Sequence, residues 1–140
     1  MSYYIGTVAE MPDKLKKETE RFITEHKDAV ILGTRQGDDV HLTIMGFLSG
    51  ISLNMLYMQT NIQSQKVSNI NSNSLVEIAI TNDSGGVVLT CEAEVVEDEK
   101  MKSEKWEDWM FKYHDSGHTS PSYVLLRFVP QFVKLILIEC

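Results

Sequence analysis

The chain has 140 residues, 43% of them hydrophobic and 24% charged, with a net charge of −7 at neutral pH. That balance predicts one globular domain over residues 1–140, with enough length to bury a core unaided by disulfides or a metal. The acidic excess, with no basic run anywhere, argues against nucleic acid or an anionic membrane as a main partner.

Residues 11–28 carry the first helical pattern. Leu15, Thr19, Phe22, Ile23 and His26 recur at helical spacing, and lysines and glutamates cover the opposite face. Residues 29–34 read as a short strand and 40–48 as a second, joined by a polar turn containing Gly37 into a hairpin. In the second strand Val40, Leu42 and Ile44 share one face, and His41, Thr43, Met45 and Phe47 share the other. Residues 53–60 form a third strand that leads into a helix of about residues 62–72. A strand over 75–81, a turn of Asn, Asp, Ser and Gly, and a clearly alternating strand over 87–96 follow. A third helix is predicted over 98–112, in which Trp106 and Trp109 read as core or subunit contact rather than a ligand platform. After a Gly- and Pro-containing loop, strands over 123–128 and 132–139 form a closing pair around Val129 and Pro130. Short strands linked mostly by hairpins predict a mainly β fold with flanking helices, an antiparallel sheet of six to seven strands closing into a barrel.

Few residues advertise chemistry. The four histidines form no HxH or HExxH pair, so no metal site is predicted. Cys91 sits in an apolar strand and Cys140 is the last residue, so neither belongs to a CxxC pair. Met1 to Gly6 lacks the layout of a signal peptide and no apolar run reaches membrane-span length, so a cytoplasmic setting is expected. A nucleophile elbow, a GxGxxG and a P-loop are all absent. What remains is Leu56 to Val67, where a buried strand runs out at Thr60 and a helix opens near Ser64. Thr60, Ser64 and Lys66 set two hydroxyls and a cation around the first helical turn, whose unpaired N–H groups and positive dipole end favour an anion such as phosphate. The residues alone favour the plainer reading, in which Thr60 or Asn61 caps the helix and Lys66 is a solvated charge. Consecutive antiparallel strands usually pair, so the strand carrying Thr43 and Met45 is expected beside this turn as a wall for a flat, partly apolar ligand with a phosphate tail.

The order of these motifs resembles the FMN-binding split-barrel family of pyridoxamine phosphate oxidase-like proteins, above all its small general-stress-protein-like branch, over roughly residues 13–130. Thr60-Asn-Ile-Gln-Ser-Gln-Lys66 is similar to the family's Thr-x-x-x-Ser-x-Lys segment that holds the FMN phosphate. Val40-His-Leu-Thr-Ile-Met-Gly-Phe47 is similar to the strand that runs along the flavin, and Asn73-Ser-Leu-Val76 stands where the family commonly has Asn-Pro-x-Val. Trp109 to Tyr113, Gly117 and Pro121 to Phe128 resemble its closing loop and strand. The resemblance implies a split-barrel homodimer with FMN at the subunit interface. Ser64 and Lys66 would hold phosphate with Thr60 and Gln65 in the same segment, and Thr43 and Met45 would lie along the ribityl chain and ring. It further implies an FMN-dependent oxidoreductase of open small-molecule substrate. The alternatives are a non-catalytic flavin-binding or stress-related module, and a flavin-free dimer that binds another flat ligand or a protein. The chain departs from the pattern at Thr43, where an arginine is common, and at Gly86, where oxidases carry a polar side chain. No match for the oxidases' C-terminal Trp and Arg occurs over residues 132–140, which argues against pyridoxamine phosphate oxidation.

Overall fold

In the computed structural model, which describes residues 1–138, the elements run β1 (Ser2–Thr7), α1 (Asp13–Glu25), β2 (Val30–Gln36), β3 (Asp39–Met45), β4 (Leu56–Asn61), α2 (Gln65–Ser72), β5 (Leu75–Asn82), β6 (Gly85–Val96), α3 (Glu99–Glu104) and β7 (Tyr123–Leu137). All strand pairs are antiparallel, in the order β1-β7-β6-β5-β2-β3, with β4 also paired to β7. The fold is a mainly β split barrel with flanking helices, as the hairpin count predicts. Among the described residues no helix is long and apolar enough to cross a membrane.

Period-two alternation drives the inner rows together. Leu32, Met58, Ile78, Leu89, Leu126, Phe128 and Val133 are wholly buried in one cluster, which Phe22 and Ile23 of α1 and Val67 and Ile70 of α2 close from the sides. At about 25 cal/mol per Å² of apolar surface, burial of this interior is the main stabilising term. A second cluster lies on the other side of β7. Leu48, Val96, Met110, Tyr123 and Leu125 meet there, with Trp106, Met101 and Tyr57 packed against them. The first half of β7 is therefore buried on both faces.

Four details differ from the sequence pattern. Ser2–Thr7, read only for targeting signals, is a strand paired to residues 132–137 of β7. The two closing strands are one 15-residue strand, because a β-bulge takes up the proline. Thr90 and Cys91 face Phe132 and Pro130, leaving Gln131 as the extra residue, and the Gln131 carbonyl accepts from the Val8 N–H at 2.9 Å. The part of that prediction at Glu139, and Cys140, lie outside the described residues. The helix predicted over 98–112 stops at Glu104, and a separate 3-10 turn spans Asp108–Lys112. Trp106 sits between them, packed edge-on against Phe111 and Tyr123 at 5.0 and 5.4 Å between ring centroids. One continuous helix would carry Trp106 out of that cluster.

The fourth difference shapes the site. β3 and β4 are consecutive but unpaired; β4 pairs instead with Tyr123–Phe128 at the head of β7. The link between β3 and β4 turns inward at Phe47 and Leu48, both buried, where the Phe47 N–H donates to the Lys27 carbonyl at 2.8 Å and the Leu48 N–H to the Tyr57 carbonyl at 2.8 Å. β3 and β4 thus stand unpaired on either side of an opening in the barrel.

Candidate functional site

That opening is a cleft of about 780 Å³, lined by Thr60, Asn61, Ser64 and Lys66, by Ile44 and Met45 of β3 with Gly46 and Phe47 after it, and by Lys27, Asp28, Glu107, Trp109, Lys112 and Tyr113. The volume is within the range of small-ligand and cofactor sites. Three lysines face it against Asp28 and Glu107, so it is locally electropositive in an acidic chain.

The segment from Thr60 to Lys66 is an anion cradle. Ser64 is the residue before α2 and has extended backbone, but its hydroxyl caps nothing; it lies 3.3 Å from the Thr60 hydroxyl. Asn61 makes the turn instead, its carboxamide oxygen accepting from the Gln63 N–H at 2.9 Å and its carbonyl from the Ser64 N–H at 2.9 Å. Among the described residues the N–H groups of Gln65 and Lys66 have no protein acceptor. Two free N–H groups, two hydroxyls and an ammonium thus meet at a helix start, the donor set that a phosphate dianion takes. Burial holds the Lys66 ammonium below its ordinary pKa. No carboxylate is paired with Lys66 among the described residues, and an anion in the cradle would offset that desolvation.

The 3-10 turn Asp108–Lys112 and Tyr113 after it present an aromatic wall to the cleft. Trp109 and Tyr113 meet edge-on at 6.2 Å and both are exposed toward the opening. Glu107 is held in place by the Ser49 N–H at 3.0 Å and the Trp109 indole N–H at 2.8 Å. Burial alone would raise its pKa, but those hydrogen bonds and the charge of Lys27 hold the carboxyl below its usual range.

His114 also lines the cleft and is only 2% exposed. Its Nδ1 is 2.8 Å from the Ser122 hydroxyl and its Nε2 2.8 Å from Oε1 of Gln59. Burial, helped by the charge of Lys102, holds its pKa below the ordinary value, so at neutral pH the ring is uncharged. Ser122 is anchored in turn, its carbonyl accepting from the Ile62 N–H at 2.7 Å.

A family model described as pyridoxamine 5'-phosphate oxidase matches residues 15–136. The chain belongs to the pyridoxamine 5'-phosphate oxidase family. Comparison with curated proteins returned no match. Among solved structures, the general stress FMN/FAD binding protein of Xanthomonas citri superposes with a TM-score of 0.80 at 17% identity, covering 92% of each chain. A Clostridium acetobutylicum protein related to general stress protein 26 gives 0.79 at 21% identity over 91% of each chain. General Stress Protein 26 of Bacillus anthracis gives 0.73 at 24% identity, over 86% of this chain and 92% of the other. At these identities the likeness establishes the split-barrel fold.

Within this family member, the cleft gathers Met45, Thr60, Ser64 and Lys66 of the residues singled out from sequence. Thr43 is one pair further along the inward face of β3, half-buried, with its hydroxyl 3.3 Å from His41 Nδ1 and outside the cleft lining. The Gln65 side chain turns away to donate to Asn69 at 2.8 Å, so its contribution to the cradle is the backbone N–H. Trp106 packs in the second cluster as the sequence pattern predicts, whereas Trp109 lines the cleft. Gln59, His114, Glu107 and Lys27 are cleft residues that no local motif marks. Of the four only Gln59 carries a sequence signal, in that it directly precedes Thr60. Among the described residues no group of three His, Cys, Asp or Glu is placed to hold a metal.

Proposed function

We propose that the protein binds FMN in this cleft, as a homodimer with the site at the subunit interface, and acts as an FMN-dependent oxidoreductase on a small molecule. The observation that carries the reading is the cradle of Thr60, Ser64, Lys66 and the free N–H groups in a cleft that Ile44 and Met45 of β3 and the rings of Trp109 and Tyr113 also line, together with the charged Lys27, Asp28, Glu107 and Lys112. A phosphate on a flat ring system fits the cradle and the aromatic side chains of that lining together. The FMN/FAD binding named for the Xanthomonas citri neighbour agrees with it. Ser64 and Lys66 would hold the phosphate, Thr60 would support Ser64, Gln65 would add its N–H, and Met45 would flank the chain and ring, with Thr43 next along the same face of β3. Bound FMN would supply hydride and electron transfer, and the protein would supply position and electrostatics.

The dimer is supported by the outer face of the sheet. Ile44, Ile31, Ala79, Val88, Lys134 and Ile5 stand in register across six strands. Leu42 and Ile44 there are 67% and 76% exposed. A row of that length that is apolar at every position but Lys134 marks an interaction surface on a monomer. Ile44 also lines the cleft, so a second copy seated on this face would border the site.

The test is titration of the purified protein with FMN. A yellow, stoichiometric complex is expected, and Lys66→Ala should raise the dissociation constant by about 10- to 100-fold, the loss of a hydrogen bond to a charged group. Absence of flavin binding by the wild-type protein would remove the reading. Anaerobic addition of reduced nicotinamide cofactor then separates the enzyme, whose flavin bleaches, from a binding module, whose flavin stays yellow.

A further inference from the structure

We propose that Gln59 is the residue through which the cleft recognises the polar edge of its ligand's ring system, and that His114, clamped by Ser122, is the positioning residue that holds the Gln59 carboxamide for this contact. The inference rests on the flavin reading of the same cleft and adds to it the part that recognises the ring rather than the phosphate.

Gln59 lies on β4, an edge strand that borders the opening, directly before Thr60. One end of its carboxamide is engaged, Oε1 meeting His114 Nε2 at 2.8 Å. The other end, Nε2, has no protein partner among the described residues, and none of their buried side-chain nitrogens or oxygens lacks one. That nitrogen is therefore accessible, on a side chain that lines the cleft.

A glutamine free to rotate is a poor recognition element, because each contact must freeze its rotamers. Here the freezing is done before any ligand arrives. His114 is buried, tilted against Tyr123 at 5.2 Å between centroids, and bonded through both ring nitrogens. Ser122 is tied to the end of β4 through the Ile62 N–H. The clamp thus closes on the strand it serves, joining positions 59 and 114 across 55 residues of sequence.

The clamp also dictates what the cleft offers. A neutral imidazole has one donor and one acceptor nitrogen. When Nε2–H donates to Gln59, the Ser122 hydroxyl donates to Nδ1 and the carboxamide shows N–H to the cleft. In the other tautomer Nδ1–H donates to Ser122, the carboxamide turns over, and its oxygen faces the cleft. The ligand class that fits is a uracil-like edge of alternating C=O and N–H groups, as on the pyrimidine side of a flavin, since either orientation finds a complement there.

The experiment titrates wild type and variants with FMN and with riboflavin, which lacks the phosphate. Gln59→Leu should weaken both ligands by the same factor, about tenfold, while Lys66→Ala weakens FMN and spares riboflavin. Both Gln59→Leu and His114→Phe should shift the visible bands of the bound flavin. The double variant should lose no more than either single one, because the two residues act through one contact. Should His114→Phe fail to fold, Ser122→Ala tests the clamp with the imidazole retained and should give a smaller loss in the same direction. Wild-type affinity and an unshifted spectrum in Gln59→Leu would overturn the role of Gln59. Additive losses in the double variant would overturn the positioning role of His114. Either result is distinct from a wild-type protein that binds no flavin, which would remove the flavin reading itself.

Discussion

Lys66 and His114 are two basic groups that burial pushes toward the neutral form, and the fold treats them differently. Lys66 is left with no carboxylate among the described residues, so its desolvation is unrelieved until an anion enters. His114 is given two neutral hydrogen bonds that accept an uncharged ring. The sign of its effect on stability follows. Its folded pKa lies below the ordinary 6.5, so as pH falls through about 6.5 the unfolded chain takes a proton that the native ring refuses. Its contribution is present above about pH 6.5 and is lost as pH falls toward the folded value. The urea midpoint should therefore drop between about pH 7.5 and pH 5.5, and His114→Phe should flatten that segment of the curve. An equal drop in the variant would show that the acid sensitivity arises elsewhere. Sequence reading reached Ser64 and Lys66 because their geometry is local, set by one strand end and one helix start. It could not reach His114, whose meaning comes from a partner 55 positions away.

At the scale of elements, turn chemistry was legible and strand continuity was not. The β2–β3 and β5–β6 turns stand where Gly37 and Gly85 predict them, both with positive φ, at 60° and 147°. The two positions differ in what surrounds them. A Cβ at Gly37 would meet nothing within 4 Å, whereas one at Gly85 would lie 2.1 Å from the Ile136 carbonyl oxygen on the paired strand. Gly37→Ala should cost about 1 kcal/mol, the local price of the left-handed backbone. Gly85→Ala should cost about 3 kcal/mol, because strain is joined by a backbone clash that flexing of a side chain cannot relieve. Denaturant midpoints of the two variants check this, and equal losses would mean that β7 yields at Ile136. Pro130 misled for the opposite reason. A proline in a strand pattern reads as a break, yet it sits at a bulge where no N–H is needed, and the strand runs on. The helix over 98–112 failed because its apolar residues serve two surfaces, Trp106 the second cluster and Trp109 the cleft.

For the whole molecule, hairpin spacing was enough to predict a closed antiparallel fold, but not where the closure stops. Adjacency in sequence argued for pairing β3 with β4, and the apolar head of β7 takes β4 instead. That exchange opens the slot and leaves β3 as an edge whose outer side chains, Val40, Leu42 and Ile44, face solvent. An edge strand with such a face invites association, and a second copy is the partner that would both cover it and border the cleft. Leu42 separates these two effects, being on the outer face but outside the cleft lining. Leu42→Glu should preserve the far-ultraviolet circular dichroism of the fold, because the side chain is 67% exposed in a single chain. On the proposed dimer it should give a monomer in sedimentation equilibrium and raise the FMN dissociation constant by at least about tenfold, since the ring would lose the wall that a second copy would supply. A variant that stays dimeric would move the interface off this face. A monomer that binds FMN as well as wild type would leave the face as an interface but make the cleft complete within one chain.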